Sequence, residues 1–127
     1  MKYDELYDDF LKLFPDDVAV LSDLAAEVNA ERSDGMHVMF GMVVCPYICK
    51  IAKEDPQKTR RAFEFIEQME TSGDDEIINV AEVTVLENLM TDEDGGFDRF
   101  EQYLGTESRK TVMQLSHFFD IVKKESD

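Results

Sequence analysis

The stretch "MHVMFGMVVCPYIC", residues 36 to 49, constrains the fold most. It is apolar nearly all round until Lys50, and an element without a polar face belongs in an interior. It falls short of the ~20 residues that a membrane span needs, and it contains His37, Gly41 and Pro46. The reading is a helix over about 40 to 54, the most buried element, with Pro46 in its first turn or at a kink.

The neighbouring segments also have helical periodicity. Tyr3, Leu6, Tyr7, Phe10, Leu11 and Phe14 recur in steps of three and four, and Pro15 ends that stripe. A second helix starts at Asp16 or Asp17, either of which can cap it, with Val18, Leu21, Leu24, Ala25 and Val28 on one side. "ERSDG" is a loop. In "EDPQK", Asp55 is an N-cap and Pro56 a first helical residue. Ala62, Phe65, Ile66 and Met69 stripe that helix, which stops at Gly73.

"DDEIINVAEVTVLENLM" has the Val and Ile content of a strand, but its length, acidic start and the spacing Ile77, Ala81, Val85, Leu89 favour a helix. "TDEDGG" is a turn, and "FDRFEQYLG" a short helix closed by Gly105. Thr106 or Ser108 caps the last helix, whose face holds Val112, Leu115, Phe119 and Val122, and "KKESD" frays. The expectation is an all-α single domain over 1–127, a bundle of about seven helices. Some adjacent pairs read as hairpins of the α-solenoid kind, without a fixed-period repeat.

Chemistry is sparse. An EF-hand loop needs oxygen ligands at its first, third and fifth positions, Gly at the sixth and Glu at the twelfth. With Gly96 sixth, Gly95 is fifth and Gln102 twelfth; with Gly95 sixth, Met90 is first. Both registers fail. Cys45 and Cys49 share a helix face, yet with only His37 nearby they lack a structural-zinc pattern. They read as reduced core thiols, raised in pKa by apolar surroundings. Ser116 and His117 are adjacent and point apart on a helix, so they cannot build a triad. No phosphate loop, H-E-x-x-H or G-x-S-x-G occurs. The chain reads as a non-enzyme without cofactor or metal. The acidic start lacks an apolar signal region, which points to the cytoplasm.

Charge is the informative signal. The net charge is −16, which disfavours nucleic acid and anionic membranes as direct partners. Residues 1–34 carry ten acids and three bases, and 35–70 five of each. Residues 71–107 carry eleven acids and one base, and 108–127 three acids and four bases. Acidic runs are usually solvated faces. Here the second block is dense enough to steer a partner across a Debye length of ~8 Å. Glu82 falls inside the apolar arc of its helix, so it sits at the rim or pairs with a base. Glu82, Glu87, Asp92, Glu93, Asp94 and Asp98 are the candidate contacts, and Phe97 is their apolar anchor.

The fragments "VTVLENLM" and "LGTESRK" are similar to segments of small helical bacterial proteins associated with toxin immunity. Across residues 75 to 122 the acidic helical chain resembles bacterial immunity proteins of the contact-dependent growth inhibition kind, which neutralise toxins delivered by neighbouring cells. The resemblance implies a basic toxin as partner, such as an RNase or DNase whose positive groove an acidic protein covers. A second class is a helical adaptor that binds a peptide or protein between its helices, with little salt dependence.

Overall fold

The computed structural model describes residues 1–115, and the expectations for Ser116, His117, Phe119, Val122 and the chain end lie outside them. Among the described residues the fold is all-α. Seven helices form a bundle: α1 (Leu6–Leu13), α2 (Val18–Glu27), α3 (Met36–Glu54), α4 (Pro56–Glu70), α5 (75–90), α6 (Gly96–Phe100) and α7 (106–115). Single 3-10 turns at Tyr3–Glu5, Pro15–Asp17, Arg32–Asp34 and Glu101–Tyr103 join or extend them. One hydrophobic cluster draws on all seven helices, and α1 packs on α4 across the sequence. That shared core makes a bundle; in a solenoid each repeat touches only its neighbours.

The central helix starts earlier than expected, at Met36, and touches α1, α2, α4 and α5. Phe40–Val44 is a π-turn, in which the Cys45 amide donates to the Phe40 carbonyl five residues back. The wider turn gives the Pro46 ring the space that a regular turn denies it. The helix is not buried all round: His37, Met42, Pro46, Lys50 and Lys53 form its outer side. By length and composition α3 could cross a membrane, but half of its apolar window is buried inside the fold.

Phe10 organises the core. It meets Phe14, Phe40, Tyr47 and Phe65 at ring-centroid distances of 5.1, 6.0, 6.1 and 5.6 Å, joining α1, α3 and α4. The α2 face is narrower than its spacing implies. Leu21 is fully buried and Leu24 and Ala25 half-buried, whereas Val18 and Val28 stand exposed at the helix ends.

The ambiguous segment is helical. Asp74 caps α5 by accepting from the amides of Glu76 and Ile77. Its middle, Val80–Leu86, is a second π-turn, with the Glu87 amide donating to Glu82. Asp55 likewise caps α4 through the amides of Gln57 and Lys58, and Pro56 opens that helix. Asp17 precedes α2 but makes no cap. Its carboxylate turns to the Tyr47 hydroxyl at 2.5 Å and the Lys58 ammonium at 2.8 Å, binding α2 to α3 and α4. The Lys58 hydrogen bond, then that of Tyr47, hold Asp17 below its ordinary pKa.

Candidate functional site

The acidic turn between α5 and α6 is built by its two glycines. The Thr91 hydroxyl donates to the Glu87 carbonyl at 2.8 Å and closes α5. Gly95 and Gly96 then take positive φ, +118° and +36°. A Cβ on Gly96 would run into the Met90 carbonyl oxygen and lie 3.0 Å from its carbon. Only a glycine lets the chain double back so closely.

Arg99, the one base in residues 71–107, points inward. Its side chain is 16% exposed, donates to the Cys49 carbonyl at 2.6 Å, meets Asp92 at 3.4 Å and lies over the Phe100 ring. Asp94 pairs with Lys53 of α3 at 3.3 Å in the open, a contact of little energy. Glu93 and Asp98 are exposed and make no ion pair among the described residues. Glu87 is half-buried. Phe97 is half-buried and packs on the core, so it braces the turn more than it projects from it.

Glu82 stands apart from this turn. It meets no base among the described residues; Thr111 of α7 donates to its Oε1 at 3.1 Å. Thr111 Oγ1 also lies 3.2 Å from Oε2 of Glu70 on α4. Of the two expected outcomes, the rim and an ion pair, Glu82 takes the rim: it is half-buried, and its neighbours are a hydroxyl and a second carboxyl. The signal for it was faint, since Glu70 and Thr111 lie far from Glu82 in sequence.

Glu67 was not foreseen either. It accepts from the amides of Glu107 and Ser108 at 2.8 and 2.9 Å and from the Ser108 hydroxyl at 2.9 Å. Thus α7 is capped by a side chain from α4, not by Thr106 or Ser108. The residue before α7 is Gly105, whose absent Cβ would sit 2.5 Å from the Glu67 carboxyl. Burial pushes the Glu67 carboxyl up, but the Glu107 and Ser108 donors outweigh it and leave the pKa below its ordinary value. Glu67→Ala should cost about 1–2 kcal/mol of stability by denaturant unfolding. Gly105→Ala should cost a similar amount by displacing the same carboxylate. The double variant should fall short of the sum, because both remove one contact; full additivity would refute the cap.

Where α3 and α5 cross, Gly41 faces Thr84 and Asn88. A cleft of about 570 Å³ opens there, lined by Cys45, Cys49, Lys50, Asn88 and Asp92 among others. Cys45 is buried, and burial pushes its thiol up to about 12; Cys49, half-buried, is also raised by burial. Such thiols are poor nucleophiles at neutral pH. His37 hydrogen-bonds Thr84 through Nδ1. Among the described residues no three His, Cys, Asp or Glu side chains converge as a metal site.

No curated protein and no solved structure matches this chain. Over residues 7–120 it matches the family described as "Domain of unknown function (DUF7674)", and the chain belongs to that family.

Proposed function

We propose that this protein is a stoichiometric inhibitor of a basic protein domain, of the immunity type, acting in the bacterial cytoplasm without catalysis, metal or cofactor. The observation that carries the reading is the inward turn of Arg99, which leaves the acidic surface of residues 71–107 without an outward base of its own. Glu93 and Asp98 offer exposed carboxylates at the turn, without an ion pair among the described residues, and Glu87 is half-buried on α5. Asp92 is already paired with Arg99 within the fold and contributes less, whereas Asp94 has only its exposed, weak pair with Lys53. A nuclease groove, positive because it binds phosphates, is the matching partner chemistry. Carboxylates can cover it while offering no bond to cleave, and steering speeds the encounter.

The cleft between α3 and α5 supports the second reading, a helical adaptor that holds a peptide. Tagged protein offered to nuclease-treated lysate of its source separates the two. Immunity requires a basic domain that elutes at high salt and whose nuclease activity is abolished by one equivalent of this chain. A neutral partner retained at high salt would favour the adaptor. With that basic domain, reversing Glu87, Glu93 and Asp98 together to Lys should slow association about 10- to 1,000-fold at low salt. It should also flatten the salt dependence. An unchanged association rate would remove these residues from the interface.

A further inference from the structure

The carboxyl groups of Glu70 on α4 and Glu82 on α5 converge on one hydroxyl of α7. Thr111 is buried, and its Oγ1 is 3.2 Å from Glu70 Oε2 and 3.1 Å from Glu82 Oε1. A threonine hydroxyl has one hydrogen to give, and an ionised carboxylate has none. Two ionised carboxylates would therefore leave one of these contacts as oxygen facing oxygen. Both contacts are satisfied when one carboxyl keeps its proton.

Glu70 is the group that keeps it. Its Oε1 is buried and has no partner among the described residues, a position that penalises an ionised oxygen. Burial first, then the charge of Glu82 and a hydrogen bond with it, push the Glu70 carboxyl up to about 8. The Thr111 hydrogen bond opposes this and the charge of Glu67 adds to it. Among the described residues of α7, Lys110 pairs instead with Glu107 at 3.1 Å.

We propose that Glu70, Glu82 and Thr111 form a proton-dependent latch that holds α7 against α4 and α5, closed while the two carboxyl groups retain one proton and loosened as that proton is lost. It goes beyond the inhibitor reading and holds whatever the partner is. The helix thus has two clamps of opposite response. The Glu67 cap needs an ionised carboxylate: its contribution is present above the unfolded pKa of 4.5 and is lost as pH falls through the lower folded value. The latch needs a proton: its contribution is full below 4.5 and is lost progressively as pH rises to about 8. Docking of α7 is tightest in mildly acidic solution and loosens across neutrality.

Hydrogen exchange of the full chain between pH 5 and 9, corrected for intrinsic rates, tests this. Protection of the 106–115 amides should fall by up to about tenfold per pH unit until pH 8 and then level off. Glu70→Gln, a neutral mimic that keeps a donor, should remove that dependence, and with it any fall shared by α3 amides that exchange through global unfolding. Flat protection in the wild type or an identical fall in Glu70→Gln would overturn the latch. Should Glu70→Gln fail to fold, carbon-13 titration of the wild-type glutamate carboxyls decides. One of Glu70 and Glu82 must titrate well above the ordinary ~4.3, and two ordinary midpoints refute the shared proton.

Discussion

Phe10→Ala should lower the unfolding free energy by about 3–5 kcal/mol. Phe10 is completely buried and touches four other aromatic rings contributed by α3, α4 and the end of α1. Truncation loses the transfer free energy of the ring and leaves a cavity that several rigid neighbours cannot close. A domain of this size has about 5–15 kcal/mol in total, so the variant should be marginal at 37 °C. Denaturant unfolding with an unchanged slope would measure the loss directly. Leu11→Ala, one position along and half-buried, is the control and should cost clearly less. A loss for Phe10→Ala below that of Leu11→Ala would mean the aromatic cluster is not the centre of the core.

Gly96→Ala is the second large effect, and it joins stability to the proposed interface. The backbone sits at φ +36°, and an added methyl would collide with the Met90 carbonyl, a backbone atom that cannot rotate away. The variant must reopen the turn or shift the end of α5, at a cost of about 2 kcal/mol or more. Reopening would also swing Arg99 away from Asp92 and the Cys49 carbonyl, releasing a base into the acidic surface. The expected result is a lower denaturation midpoint together with slower association with the basic partner. Loss of stability with unaltered association would place the interface away from this turn.

Much of the fold was legible because the relevant interactions are short in sequence. Asp55 with Pro56, Asp74 before α5, and the apolar steps of α1 and α4 act within one or two turns. The failures share a cause. A regular wheel turns 100° per residue, so it cannot anticipate the wider π-turns at Phe40–Val44 and Val80–Leu86. The spacing Ile77, Ala81, Val85, Leu89 does not include Val80, yet Val80 is fully buried. Asp17 and Thr106 or Ser108 read as caps because such residues favour helix starts. In the fold, Asp17 serves Tyr47 and Lys58, and Glu67 supplies the cap of α7.

The candidate site divides along the same line. Composition and block charge alone set the acidic character of residues 71–107, because charge adds up regardless of conformation. Local spacing alone set the helices and the glycine turn, because their hydrogen bonds and sterics span only a few residues. Which acids remain free depended largely on contacts far apart in the chain: Arg99, the partner of Asp92, with the Cys49 carbonyl, Lys53 with Asp94, and Glu82 with Thr111 beside Glu70. Only the tertiary structure decides those pairings, because a side chain's partner is fixed by the packing of helices that the core brings together.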